Sequence, residues 1–161
     1  MPIELVGPVR YSLSFDSTNF TVCCPRGTST FSGLATSDLP KLYIVSVEER
    51  PIYVGITTQT MRKRLRLGWN AKGESGYYGY KWRHNHKEAK LDIWNLKNPD
   101  QQEPHALETI EAEVVFQIRS AGQWPLFQNE IHFHPSDTIH RDLAHKIVSR
   151  YNLEPLRPIQ P

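Results

Sequence analysis

The sequence has little cysteine. Its only two cysteines among 161 residues, Cys23 and Cys24, are adjacent and cannot build a disulfide framework. We therefore expect reduced thiols and a cytoplasmic protein. No apolar run approaches the ~18 residues of a membrane-spanning helix, and the N-terminus lacks a basic segment followed by an apolar one. The sequence accordingly predicts neither a membrane protein nor a secreted one.

Net charge and repetition are also low. The formal net charge is +2, with 22% charged and 39% hydrophobic residues, which is ordinary for one globular domain with or without an extension. The chain as a whole therefore does not indicate a nucleic-acid partner. Lysine and arginine are nevertheless concentrated in residues 62–66 and 81–90, and local basic patches attract polyanions. There is no internal repeat.

Hydrophobic patterning predicts a hairpin followed by a helix near the middle of the chain. Residues 42–45 and 52–54 are rich in β-branched and aromatic side chains, and a short polar break separates them. Gly55 ends the second strand, and a threonine before residue 61 can cap a basic helix. Tyr43 and Tyr53 can then lie close together beside that helix. This arrangement offers two hydroxyl groups next to cations that can hold a phosphate.

The remaining pattern completes an α+β arrangement. Residues 91–94 suit a third strand, and an apolar stripe after Pro104 suits a helix that ends at Gly122. Residues 130–134 suit another strand, and Ser136 or Asp137 can cap a last helix. We expect a small central antiparallel or mixed β-sheet flanked by helices. Residues 1–40 are predicted as an N-terminal extension of strand and loop, 41–134 as the core, and 135–161 as a C-terminal helix with a proline-rich tail.

Five short motifs, in order, resemble the GIY-YIG nuclease domain. They are LYI at 42–44, YVG at 53–55, MRKRL at 61–65, IEAEVVFQIR at 110–119 and PLFQN at 125–129. The match covers roughly residues 41–130 and leaves both ends of the chain unexplained. The resemblance implies that family's fold and a divalent-metal-dependent endonuclease that hydrolyses DNA phosphodiester bonds by a one-metal mechanism.

The resemblance also implies roles for single residues. Tyr43 and Tyr53 match the paired tyrosines near the attacking water. Arg64 matches the catalytic arginine, with Arg62 as the alternative. Glu111 matches the single carboxylate ligand of Mg²⁺ or Mn²⁺, and one glutamate is enough for a cation that keeps most of its waters. Asn129 matches the asparagine that closes the last motif.

Two positions depart from the family pattern. Lys41 stands near the place of the leading glycine, and Gly68 stands where members usually carry histidine or tyrosine, one turn after the arginine. The replacement for that side chain must come from elsewhere. The candidates are Tyr77, Tyr78, Tyr80, Lys81 and His84.

Other predictions concern the DNA surface and the chemistry. We expect Arg62, Lys63, Arg66, Tyr80, Lys81 and His84 to contact nucleic acid. A tyrosine, with an ordinary pKa of about 10, becomes a base near neutrality only if neighbouring cations lower its pKa. A homodimer is one way for a single-site enzyme to cut both strands.

Less specific interpretations of the same residues stay open. The tyrosines also suit ordinary sheet positions, the basic run suits a solvated helix face, and Glu111 suits a salt bridge at the edge of the core. The aromatic segment 77–82 suits base stacking or a packed loop. The pairs His84 with His86 and His132 with His134 suit a zinc site only weakly. A nucleic-acid-binding module without cleavage and a protein-interaction domain are the competing functions.

Overall fold

In the described part of the chain, five antiparallel strands form one sheet and three α-helices pack against it, which confirms the predicted α+β class. The computed structural model describes residues 3–102, 105–121 and 135–153. The strand order across the sheet is β2-β1-β5-β3-β4. The elements are β1 (Leu5–Phe15), β2 (Phe20–Cys23), β3 (Lys41–Val47), β4 (Arg50–Thr57), α1 (Met61–Asn70), β5 (Glu88–Leu96), α2 (Ala106–Ser120) and α3 (Thr138–Val148).

The predicted hairpin is β3 and β4, and its connection is tighter than the polar break suggested. Glu48 and Glu49 have φ angles of 53° and 62°, so both occupy the left-handed region. A two-residue turn of this kind matches the right-handed twist of the flanking strands. Strand β4 can therefore begin at Arg50, directly after the turn.

The N-terminal strands belong to the same sheet as the predicted core. Strand β1 pairs with β5 along most of its length, from Leu5 opposite Leu96 to Ser14 opposite Glu88. Strand β2 adds to the outer edge of β1. The N-terminal strands are therefore an extension in sequence only, because β1 shares backbone hydrogen bonds with β5, and β2 shares them with β1.

The two faces of the sheet carry different cores. One face, which we call the aromatic face, packs against α1 and the segment after it. Its largest buried side chains are Tyr11, Tyr43, Tyr53, Trp69, Tyr80 and Trp82. The opposite face, which we call the aliphatic face, packs against α2 and α3. Its buried side chains include Leu42, Ile44, Val54, Ile110, Val114, Ile118 and Ile147. Alternation along β3 sends neighbouring residues to opposite faces.

The helix ends follow local capping chemistry. Thr60 caps α1, its side chain accepting the Lys63 N–H at 3.3 Å. Asp137 caps α3 through a capping box with His140, which decides between the two predicted caps. Helix α2 ends at Ser120. Pro104, Gly122 and the strand expected at 130–134 lie outside the described residues. Each helix in the described part of the chain is too short or too polar to cross a bilayer.

Candidate active site

The two tyrosines predicted as a pair lie together on the aromatic face. Tyr43 is opposite Gly55 and Tyr53 is opposite Val45, so the rings are diagonal neighbours with centroids 5.8 Å apart. Gly55 makes room for them, because a Cβ there would overlap the hydroxyl end of Tyr43 and the ring of Tyr53. The glycine of the second motif is therefore required by the packing of the two tyrosines.

Tyr80 occupies the space beside Gly68, the position where members of the resembled family carry histidine or tyrosine. Its ring lies directly against Gly68, where any Cβ would overlap it, and its hydroxyl is 2.9 Å from that of Tyr43. Among the five candidates, Tyr80 is the one that occupies this position. The prediction that Tyr80 contacts nucleic acid is wrong, because its side chain is only 2% exposed.

Arg83 holds the segment that delivers Tyr80. This buried guanidinium donates through Nη1 to the carbonyl oxygens of Gly68, Tyr78 and Tyr80, at 2.7, 3.1 and 3.0 Å. These bonds join the C-terminal turn of α1 to the loop that follows it. Charge-assisted bonds to carbonyl groups are among the stronger hydrogen bonds in proteins. The position of Tyr80 is thus set by an arginine that the sequence did not single out.

Arg64 lies at the border between this tyrosine cluster and solvent. Its Nη1 donates to the Tyr77 hydroxyl at 3.0 Å, and its guanidinium lies 4.9 Å from the Tyr80 ring centroid. No carboxylate of the described residues forms an ion pair with it. It lines a pocket of about 440 Å³ together with Gln59, Leu67, Asn70, Ala71, Glu74 and Tyr77. A half-buried cation without an anionic partner is suited to binding an anion.

Burial dominates the ionisation of the tyrosines. It raises the pKa of Tyr43, Tyr53 and Tyr80 above the ordinary value, and the opposing effect of Arg64 is smaller for each of them. Tyr43, Tyr53 and Tyr80 therefore do not meet the condition stated above for a tyrosine base near neutrality, which is a pKa lowered by neighbouring cations. Burial lowers the pKa of Arg64, but attraction to the surrounding tyrosines outweighs it, so that pKa lies above the ordinary arginine value. At neutral pH the site is one cation among neutral phenols.

Glu111 occupies a different layer from Arg64. It lies on the buried side of α2, which packs on the aliphatic face, whereas α1 packs on the aromatic face. Its side chain is 6% exposed and makes no hydrogen bond or ion pair with another described residue. Burial, with a smaller effect of Glu108, raises its pKa to about 8. The described residues thus bring Tyr43, Tyr53 and Arg64 together and leave Glu111 without a contact to them.

The donor chemistry of Glu111 fits one hard divalent cation. A buried carboxylate that accepts no hydrogen bond from the described residues gains from a positive charge, and Mg²⁺ takes few protein ligands. No group of three histidine, cysteine, aspartate or glutamate side chains forms a metal site within the described residues, which include both His84 and His86. The proposed fourth group, Asn129, and the second histidine pair lie outside them.

The remaining predicted contact residues stay accessible. Lys63, Arg66, Lys81 and His84 are exposed and Arg62 is half-buried. His84 Nδ1 is 3.0 Å from Ser17 Oγ, which places it beside the β1–β2 loop. In the segment 77–82, Tyr80 and Trp82 are core residues, whereas Tyr78 is 66% exposed. The segment is therefore a packed loop that leaves one aromatic ring outside.

Two residues of the pocket were missed as functional groups by sequence reasoning. Tyr77 was named only as one replacement for the side chain missing at Gly68, yet it is the partner of Arg64. Glu74 carried no signal. Its carboxylate accepts the Lys72 N–H at 2.9 Å, and the bridge between Glu74 and Tyr77 closes a tight turn that places both residues on the pocket. Only the folded turn relates these residues to Arg64.

Comparison of the chain with protein-family models, curated proteins and solved structures gave no match. The class of protein is therefore defined by its own fold and site. Within the described residues it is an α+β domain with a five-stranded antiparallel sheet, and it carries a pocket at Arg64 and Glu74 that is backed by a buried tyrosine cluster.

Proposed function

We propose that this protein is an endonuclease that holds the phosphodiester backbone of DNA at Arg64 and hydrolyses it there. The observation that carries the proposal is the placement of Arg64. Its half-buried guanidinium meets Tyr77 and Tyr80, lacks a carboxylate partner among the described residues, and lines a pocket of about 440 Å³. The resemblance of five ordered motifs to GIY-YIG nucleases adds support.

Arg64 has the role of phosphate clamp. A guanidinium offers a planar fork that matches two phosphate oxygens, and it stays charged at any working pH. Contact with two aromatic rings and one hydroxyl holds the fork in a single orientation. Pre-organised charge of this kind stabilises the extra negative charge of a phosphoryl transition state.

Tyr77 is the phenol best placed to meet a water molecule. It lines the pocket and is half-buried, whereas Tyr43 is 0% exposed and its hydroxyl is bonded to that of Tyr80. In the proposed reaction, Tyr77 orients the attacking water while Arg64 holds the phosphate. Tyr43, Tyr53 and Tyr80 support the wall of packed rings behind them.

Mg²⁺ or Mn²⁺ would be held by Glu111. Such a cation would supply Lewis-acid chemistry and positive charge. Because the helix of Glu111 packs on the face of the sheet opposite Arg64, the contacts at Arg64 are derived without it. At this pocket Arg64 contributes the contact to the phosphate, and Tyr77 contributes the contact to the attacking water.

A second function is favoured by the position of Glu111. Its helix lies on the face of the sheet opposite α1, and the carboxylate makes no described contact with the arginine or the tyrosines. A domain that binds nucleic acid at Arg64 without cutting it needs no carboxylate there. This is the competing proposal.

Supercoiled plasmid separates the two functions. The protein is incubated with plasmid and Mg²⁺ and scored for nicking, beside a gel-shift assay in EDTA. Nicking that is absent from an identically purified Arg64→Ala preparation supports the endonuclease. A gel shift without nicking supports the binding domain. The absence of both a gel shift and nicking contradicts both proposals.

A further inference from the structure

A second concave basic site lies on the other flank of α1 from Arg64. Its cavity of about 200 Å³ is formed by the β1–β2 loop on one side and α1 on the other. The lining residues are Thr18, Asn19, Phe20, Arg62, Arg66, Trp69 and Asn70. The cavity is therefore built partly by the N-terminal strands, which the family resemblance leaves unexplained.

The two arginines of this cavity act from the same side of the helix. Arg62 and Arg66 are four residues apart, so their side chains are neighbours, whereas Arg64 projects elsewhere. Arg62 lies 5.6 Å from the Phe31 ring centroid and donates to the Ser29 carbonyl at 3.4 Å. Arg66 is exposed and forms no hydrogen bond or ion pair with another described residue. Both arginines thus line one polar cavity, and no carboxylate of the described residues lines it.

The loop opposite these arginines is held in place before any ligand arrives. Asp16 Oδ1 accepts the N–H groups of Thr18 and Asn19 and the Thr18 hydroxyl, each at 2.8 Å. Trp69 Nε1 donates to the Asp16 carbonyl at 2.9 Å, which ties the loop to α1. The Asp16 carboxylate is used within its own turn. A preformed cavity loses less conformational entropy on binding than a mobile loop does.

We propose that this cavity binds one phosphate of the same DNA strand that reaches Arg64, with the β1–β2 loop as part of the nucleic-acid surface. The inference rests on the proposed function for the identity of the strand. Asn70 lines both this cavity and the Arg64 pocket, so the two sites adjoin around the end of α1. Two guanidinium groups and two side-chain amides, those of Asn19 and Asn70, are suited to phosphate oxygens.

The salt dependence of DNA binding tests the proposal. Affinity of the full chain for a short fluorescent duplex is measured in EDTA at several salt concentrations, for Arg66→Ala and for Asn19→Asp. Losing one phosphate contact lowers the slope of log K against log salt by about 0.9. We expect that decrease for Arg66→Ala, and weaker binding for Asn19→Asp because its new charge repels phosphate. Both positions are exposed, and equal melting temperatures confirm folding.

Asn98→Asp is the matched control, since it adds the same charge at an exposed position beyond β5. It should leave affinity and slope unchanged. Unaltered slope and affinity in both test variants, or an equal loss in the control, would overturn the proposal. A different result would contradict the endonuclease proposal alone: the variants change DNA binding as expected here, but the wild-type chain does not nick plasmid.

Discussion

The aromatic and aliphatic faces of one sheet bury polar groups in different ways. On the aromatic face the buried polar groups of the site are neutral phenols and the guanidinium of Arg83. Tyr43 and Tyr80 satisfy each other at 2.9 Å, and Arg83 donates to three carbonyl oxygens. On the aliphatic face the buried polar groups include two carboxylates. Asp92 accepts from Arg10 at 2.8 and 2.9 Å and from the Tyr151 hydroxyl at 2.6 Å, whereas Glu111 has no described partner.

The difference shows which groups hold the fold and which are costly to it. A paired phenol or a fully bonded carboxylate is compatible with a dry core, because its hydrogen-bonding capacity is used. An unpaired carboxyl must take up a proton instead of staying charged. Arg64 is the corresponding costly group of the aromatic face, since it is a half-buried cation without a counter-ion among the described residues.

The largest expected effect is on the aliphatic face, at Asp92. Asp92→Ala leaves the Tyr151 hydroxyl without its acceptor and removes the buried partner of Arg10. We expect the free energy of unfolding in urea to fall by about 3–5 kcal/mol, as for other broken buried pairs. The control is Glu49→Gln, which removes the exposed partner of the same arginine. It should cost no more than ~1 kcal/mol. Equal costs would contradict the assigned difference between the two carboxylates.

Glu111 is expected to make stability depend on pH. Its pKa is about 8 in the folded chain and ordinary in the unfolded chain, so the folded state binds the extra proton between these values. The free energy of unfolding should therefore fall as pH rises from about 4.5 to 8, by on the order of 3–5 kcal/mol. Denaturant titrations across this range measure the slope.

Glu111→Gln should remove the slope and stabilise the protein at neutral pH. Glu108→Gln is the control, and it should retain most of the slope because burial is the larger cause of the shift. If Mg²⁺ binds Glu111, the pH range over which the free energy of unfolding falls should shift to lower pH, because a ligand carboxylate must be deprotonated. A flat pH profile for the wild-type chain would contradict the burial of Glu111 without a partner among the described residues.

Arg64 is the corresponding test on the aromatic face. Arg64→Ala should reduce plasmid nicking by roughly 10²–10³, the usual effect of removing a donor to transition-state charge, while the protein stays folded. Lys97→Ala removes a cation that pairs with Glu4 at the far end of β5, and it should nick normally. Full nicking by the Arg64→Ala variant would show that Arg64 does not contribute to cleavage.

The smallest expected effect is the change in stability caused by Gly68→Ala, and its sign is the opposite of the usual one. Glycine to alanine within a helix normally stabilises by about 1 kcal/mol. Here the added methyl group overlaps the Tyr80 ring, so Gly68→Ala should destabilise by about 1–3 kcal/mol. In a Tyr80→Ala background, Gly68→Ala should no longer destabilise the protein, because the ring that the methyl group overlaps has been removed. Exposed Leu67→Ala is the control on the same helix. A stabilised Gly68→Ala variant would show that the ring does not occupy this place.

Much of the fold could be predicted because its signals are local. The β3–β4 hairpin, the Thr60 cap of α1, the strand around residues 91–94 and the Asp137 cap of α3 each depend on neighbouring residues. The pairing of β1 with β5 could not be predicted, because the paired residues are about 80 positions apart in the chain. The hydrophobic pattern of a strand does not identify its partner strand. The pairing of β1 with β5 is what makes the N-terminal strands part of the sheet.

The sequence by itself determined the α+β class and the neighbourhood of Tyr43, Tyr53 and Arg64, because strand alternation and helix spacing place them along adjacent elements. Only the tertiary structure decided that Tyr80 replaces the side chain missing at Gly68 and that Glu111 lies across the sheet from Arg64. The physical reason is that spacing along a chain sets which side of an element a residue occupies. Which elements then pack against that side is set by long-range packing.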